Sequence, residues 1–376
     1  MVAGIIAEFN PFHSAHKYLI DCARQDGADT VVCVMSGNFV QRGEGAIFTK
    51  WARAEAALKC GADIIIELPV RYSMSTAMKF ALGGVKLLDS INVDCIYFGS
   101  ECGDEKLIKE VADKVLESDG EILRFLKEGM SYAAAREAAV GSDILSNPND
   151  TLAVEYINAI KQINSKMNYK AVKRIGANHD SLKKGEFCSA GYLRNNLNEL
   201  KEYVPDDAYK IFKKQIDDGF VYDYSKAKLP VMIKLRSMTK QEIYALPDIS
   251  EGLGDRLYNA IRVSKDYEEL ISNTKSKRYT EARVRRILMS ALLLIEKSEI
   301  TDLPKYIKVL GFNKNAECLF KNAKLPVIIR ANDKKSLDKS SIQEYNLECR
   351  ADDIYALLLK KSLPCGATMT QPVIKE

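Results

Sequence analysis

Histidine is scarce in this chain. Only three of its 376 residues are histidine, and one is tryptophan. Scarcity makes placement informative, because two of the three, His13 and His16, stand three residues apart near the start. Long apolar runs are missing: none approaches the 18 residues of a membrane-spanning helix, so no membrane association is expected. Met1 leads straight into strand-like sequence, with no charged region and separate apolar run of a signal peptide. The nine cysteines are odd in number, scattered and without a CxxC pair. That favours reduced thiols in a cytoplasm over a disulfide frame or a zinc site, and no metal held by side chains is expected. Charge of one sign is also lacking. A net charge of +4 permits nucleic-acid binding only where basic residues are concentrated locally.

What is present is an ordinary globular composition, 47% hydrophobic and 28% charged, on a chain long enough for two domains. In the first half, short β-branched runs (2–8, 30–35, 63–68, 95–98, 169–175) alternate with helical patterns (15–25, 49–59, 75–88, 105–128, 151–164). Runs such as Ile64-Ile65-Ile66 are apolar without alternation, which indicates strands buried on both faces. The expectation is an α/β fold with a doubly wound parallel sheet, with ligands at the carboxyl ends of its strands. Beyond about residue 200 the alternation stops and helical patterns dominate (207–218, 240–244, 252–264, 267–273, 280–296), with two short apolar segments at 306–310 and 325–330 that could be strands. A division into a nucleotide-binding domain, 1–200, and a second, mostly helical domain, 201–376, is expected.

The polar signals cluster at the predicted strand ends. The first strand breaks at Asn10-Pro11-Phe12 and delivers His13 and His16 to a helix start, an anion-binding arrangement that suits a triphosphate. Asn10 can hold the loop through an Asx turn. Ser189-Ala190-Gly191-Tyr192-Leu193-Arg194 opens another helix, where Ser189 either caps the helix or meets phosphate and Arg194 falls near the same end. Arg174 ends the last predicted strand as either a surface charge or a nucleotide ligand. Residues 36–43 (SGNFVQRG) read as a polar loop too rich in glycine to be core. Asn149-Asp150 after Pro148 reads as a helix cap. Lys275, Lys277, Arg278, Arg283, Arg285 and Arg286 form the densest basic cluster, with a single acid between them, and read as a surface for an RNA backbone.

His13-Ser14-Ala15-His16 resembles the HxGH signature of nucleotidyltransferases, with alanine where that signature has glycine. With GIIAEFNPFH (4–13), MSGNFVQRG (35–43), GADIIIELP (61–69), FGSE (98–101), PNDTLAVEY (148–156), KRYTEARVRRIL (277–288) and VLGFN (309–313), nearly the whole chain resembles the tRNA(Met) cytidine acetate ligases. The resemblance implies a Rossmann-like nucleotidyltransferase fold and an ATP-dependent reaction. In it acetate attacks ATP to give acetyl-adenylate, and the wobble cytidine of elongator tRNA(Met) takes the acetyl group to become N4-acetylcytidine. It implies ATP contacts at Ile6, Asn10, Pro11, Phe12, His13, His16, Leu19, Gly99, Asn149, Arg174, Ile175 and Ser189. His13, His16, Arg174 and Arg194 are the expected catalytic groups, stabilising phosphate charge, and Mg²⁺ bridging the phosphates follows from the general chemistry of such transfers. Two other readings fit the same residues: another small-molecule adenylyltransferase, and a non-enzymatic RNA-binding protein whose nucleotide site has degenerated.

Overall fold

Within the apolar runs, odd and even residues serve different layers. Val32 and Val34 join one core with Ile6, Ile64 and Ile66, while Val31, Cys33 and Met35 join another with Ala3, Ile5 and Ile65. A strand with helices on both faces buries every side chain, which is why these runs show no polar alternation. The computed structural model describes residues 1–174, 188–250, 252–297 and 303–376. Its strands are β1 (Val2–Ala7), β2 (Thr30–Ser36), the hairpin β3 (Phe39–Val40) and β4 (Glu44–Gly45), β5 (Ile64–Leu68), β6 (Cys95–Ser100), β7 (Asn168–Lys173), β8 (Ile307–Phe312), β9 (Val327–Ile328) and β10 (Ile374–Lys375). The main sheet runs β10-β8-β5-β2-β1-β6-β7, with β9 beside β8. From β5 to β7 all neighbours are parallel, and β8 runs antiparallel to β5.

The chain leaves β1 toward β2 and β5, then returns to the other side of β1 to place β6 and β7. The strand order therefore reverses between β1 and β6, and the crevice at their carboxyl ends is where a doubly wound sheet binds its ligand. Helices Ala77–Ser90, Glu105–Glu117 and Pro148–Gln162 cover one face, and Ser14–Gln25, Lys50–Lys59 and Asp206–Asp218 the other. A separate core of Leu235, Leu253, Leu257, Leu270, Val284 and Leu288 joins the helices between Tyr224 and Leu293. Among the described residues, no helix is long and apolar enough to cross a membrane. All nine cysteines are free thiols.

Four details depart from the sequence reading. The helical stretch 105–128 is two helices, Glu105–Glu117 and Asp119–Lys127, because Ser118 leaves helical geometry (φ −95°, ψ 11°) before Asp119 and Gly120, all poor helix formers. The sheet does not end with residue 200: β8, β9 and β10 extend it, and β8 covers the edge of the apolar β5. The run 36–40 is buried, not a solvent loop. Its Asn38 side chain is bonded at both ends inside: Asn38 Nδ2 donates to Asp352 Oδ1 (2.8 Å), and Asn38 Oδ1 accepts from the Lys50 amide (2.8 Å). Finally, Lys339–Leu357 is a 19-residue helix that the sequence pattern did not announce.

One side chain fixes the loops at the ends of β1 and β2. Arg53, fully buried, donates to the carbonyls of Glu8 (2.7 Å), Ser36 (3.0 Å), Phe48 (3.0 Å) and Gly37. Burial pulls its pKa down to about 10, so it remains a cation at neutral pH. Removing it leaves buried carbonyls without donors. Arg53→Ala is expected to cost about 3–5 kcal/mol of stability, read from the shift in chemical-denaturation midpoint; a cost under ~1 kcal/mol would show that water replaces the guanidinium.

Candidate active site

The helix Ser14–Gln25 begins at His13, whose backbone is extended (φ −146°). The His13 amide donates to His16 Nδ1 at 3.2 Å, and the two rings stack with centroids 3.9 Å apart. A ring nitrogen that accepts a hydrogen bond carries no proton, so His16 is neutral with its proton on Nε2. Burial, with Arg174 and Arg194 nearby, pulls the pKa of His13 down to about 3. Burial, then His13 and Arg174, holds His16 well below the usual histidine range. The pair therefore offers neutral N–H donors, and the positive charge of the site comes from arginine.

Around the carboxyl ends of β1 and β6 lies a cavity of about 560 Å³, within the range of small-molecule sites. Its wall brings together Ile6, Asn10, His13, His16, Leu19, Gly99, Asn149, Arg174, Ser189 and Arg194. Ala15, in place of the signature's glycine, also lies in this wall. Pro11 and Phe12 are not in the wall: both are buried, and Phe12 packs on Phe9 and His16 with ring centroids 5.0 and 5.6 Å away. Ile175 falls outside the described residues. Asn10 ties the loop down, its Oδ1 accepting from the Ile47 amide (2.7 Å) and its carbonyl from Arg194 Nη1 (2.9 Å). Ser189 Oγ accepts from the Tyr192 amide (3.1 Å) as a helix cap while lining the cavity. The Arg174 amide donates to the Ser100 carbonyl (2.9 Å), extending the β6–β7 ladder to the cavity edge.

Several residues of the cavity and its supporting loops escaped sequence reasoning. Asp150 is fully buried, and its carboxylate accepts from Ser100 Oγ and from the amides of Glu101 and Cys102, while Asn149 Nδ2 donates to Glu101 Oε1 (2.5 Å). The PND segment thus locks the loop after β6 instead of capping its own helix. Gln41, Arg42, Tyr156 and Lys173 also line the cavity, and so does Glu8, a charge ending an apolar strand and the one visible signal among them.

The basic cluster divides. Lys275 and Lys277 are exposed. Arg278 donates to the Leu126 carbonyl (3.0 Å) and Arg283 to the Asp248 carbonyl (2.8 Å). Arg286 pairs with Asp248 (2.9 Å), and Arg285 with Glu281 (2.7 Å) and Glu44 (3.3 Å). Glu44 also faces Arg194 at 3.8 Å. At Gly43 (φ +75°), a Cβ would lie 2.3 Å from the Arg286 amide, so only glycine lets helix Glu281–Leu293 sit this close to the loop. These arginines join the helical region to the cavity loop.

Comparison with known proteins agrees with this geometry. The model of a family described as HIGH Nucleotidyl Transferase matches residues 1–367. A relative from Caldanaerobacter subterraneus subsp. tengcongensis, named tRNA(Met) cytidine acetate ligase, is 40% identical, covering 99% of each chain. The chain belongs to the tRNA(Met) cytidine acetate ligase family. A Thermoanaerobacter relative of the same name is 38% identical over 100% of this chain and 99% of its own. Apo Thermotoga maritima TmcAL superposes with a TM-score of 0.93 at 30% identity, covering 100% of this chain and 99% of that one. The same protein bound with alpha-thio ATP gives 0.91 at 29% identity with the same coverage.

The lowered pKa of His13 has a stability consequence. The folded value lies below the unfolded value of 6.5, so the unfolded chain binds the proton first. Stability is therefore lost as pH falls below about 6.5. Relative to His13→Gln, the natural protein is expected to lose about 2 kcal/mol between pH 7 and pH 5, measured by denaturation at both pH values; equal losses in the two proteins would contradict a neutral His13.

Proposed function

We propose that the protein uses ATP to activate acetate as acetyl-adenylate, releasing pyrophosphate, and passes the acetyl group to the wobble cytidine of elongator tRNA(Met) in the cytoplasm, giving N4-acetylcytidine. The observation that carries this reading is the cavity at the β1–β6 switch point. It gathers His13, His16, Arg174, Ser189 and Arg194 from both ends of the first 200 residues. The names of the relatives and the nucleotide in the Thermotoga protein support it.

Adenylation needs no protein nucleophile, since an acetate oxygen attacks the α-phosphorus itself. The protein holds two anions together and stabilises charge on the α-phosphate and the departing pyrophosphate. We assign the cationic part of this to Arg174 and Arg194 and the neutral donor part to His13 and His16. Mg²⁺ would enter with the phosphates and offset their charge. Among the described residues no group of three His, Cys, Asp or Glu could hold a metal ion by itself, so Mg²⁺ would depend on phosphate oxygens and water for part of its coordination.

Incubation of the purified protein with ATP, Mg²⁺, acetate and bulk tRNA is expected to yield N4-acetylcytidine by mass spectrometry. Arg174→Ala should slow acetate-dependent ATP–pyrophosphate exchange by ~10²–10³. A loss below threefold would remove Arg174 from the site. Multiple-turnover release of pyrophosphate without added tRNA would favour a small-molecule adenylyltransferase, and neither exchange nor N4-acetylcytidine would favour the RNA-binding reading.

For tRNA we propose Lys275, Lys277, Arg278, Arg283, Arg285 and Arg286 as one basic region, whose exposed members are Lys277 and Lys275, the latter paired with Glu281 at 3.2 Å. Lys275→Glu with Lys277→Glu is expected to weaken tRNA binding and reduce the salt slope by about two without changing ATP affinity. Filter binding across a salt series and calorimetry with ATP check both halves; an unchanged slope would place the tRNA elsewhere.

A further inference from the structure

The cavity holds one group that nucleotide binding does not explain. Arg42, Lys173, Arg174 and Arg194 line it, as an anion site requires, yet Glu8 lines it too and is its single acidic side chain among the described residues. A carboxylate beside a triphosphate opposes binding by direct repulsion. Its carbonyl is held by Arg53 (2.7 Å), and its Oε1 accepts from the Gln41 amide (2.8 Å). Among the described residues no donor to Oε2 is found, and Glu8 lines the cavity.

We propose that Glu8 is the general base of the acetyl-transfer step. The inference rests on the acetate–tRNA reading above. In that step the exocyclic nitrogen of cytidine forms a bond to the acetyl carbon, and the carbon–oxygen bond to the phosphate breaks, its electron pair leaving with AMP. The nitrogen must lose one proton. Glu8 Oε2 takes it and returns it to water after the products leave, so atoms and charge balance with no other reactant.

The other cavity groups are poor candidates for this proton. His13 is a weak base, with its pKa down at about 3. His16 has its acceptor nitrogen occupied by the His13 amide, and guanidinium and ammonium groups are donors without an acceptor. Burial raises the pKa of Glu8, while the Gln41 amide, Arg194 and Arg42 pull it back and Glu44 raises it slightly. Tyr156 lines the same cavity. A carboxylate more basic than a surface glutamate suits proton removal near neutral pH.

The test separates the two half-reactions. ATP–pyrophosphate exchange with acetate reports the first, and single-turnover transfer from preformed acetyl-adenylate to tRNA reports the second. Glu8→Gln keeps an acceptor oxygen for the Gln41 amide. It is expected to slow transfer by ~10²–10⁴, at least ten times more than it slows exchange, and to abolish the acid limb of the transfer pH profile. Glu8→Asp should retain that limb at a reduced rate, and serves if the glutamine variant fails to fold. Equal losses in both half-reactions, or unchanged transfer, would overturn the assignment. Absence of acetate-dependent exchange in the natural protein would instead refute the acetate reading, and this assignment with it.

Discussion

The buried guanidinium of Arg53 is the constraint on which the site depends. In an open α/β sheet, ligand-binding groups sit on loops beyond the strand ends, and loops do not hold their shape unaided. Arg53 solves this from below by donating to carbonyls after both β1 and β2. The loop after β1 carries Glu8, Asn10 and His13, and the loop after β2 carries Gln41 and Arg42, so one side chain sets the spacing of both cavity walls. Lys50, one turn earlier on the same helix, is also fully buried and pairs with Glu67 and Asp352 at 2.6 Å each. Burial works against its charge, but the two carboxylates outweigh burial and raise its pKa. Buried charges of this kind are tolerated only when matched. Matching here joins β5 to a helix some 300 residues away in sequence.

The electrostatics of the cavity follow from the same burial. Two histidines beside arginines cannot both ionise in a desolvated wall, so the imidazoles stay neutral and the arginines carry the charge. This separates two tasks. In the proposed reaction the cations would attract the nucleotide, and the neutral rings would supply directed donors whose protonation does not change across physiological pH. It also leaves the wall short of bases, which makes the one carboxylate conspicuous.

Much of this was legible in sequence, for physical reasons. Parallel strands buried on both faces must be continuous apolar runs, so β1, β2, β5 and β6 were visible. Two of three histidines after a strand and an Asn-Pro turn marked the site. What stayed hidden was hidden by inverted polarity. The helix Lys339–Leu357 carries Glu344, Glu348 and Asp352 at intervals of four, a pattern that normally marks a solvent face. Here all three are buried, against Arg71, the Val70 amide and Lys50 respectively. The helix Tyr224–Ser237 contains Pro230, which reads as a breaker. Residues 36–40 look like a loop by composition, yet the Asn38 side chain finds its partners on Asp352 and Lys50, elsewhere in the chain. Local pattern cannot report a partner three hundred residues away.

The arginines of the basic cluster teach the same lesson from the other side. Read in sequence, they are surface charge. Folded, Arg285 and Arg194 lie against one carboxylate, Glu44, and Arg286 reaches the Gln41 carbonyl at 3.4 Å. Gln41 in turn holds Glu8. The groups that would meet an RNA backbone and the groups that would meet ATP are thus neighbours through two shared residues, with Gly43 setting the distance. Removing charge at Arg285 or Arg286 therefore disturbs the cavity loop as well as any RNA contact. Lys275 belongs to the same network through Glu281 (3.2 Å), which also pairs with Arg285, so exposed Lys277 is the member whose charge can be removed with least disturbance of the cavity loop.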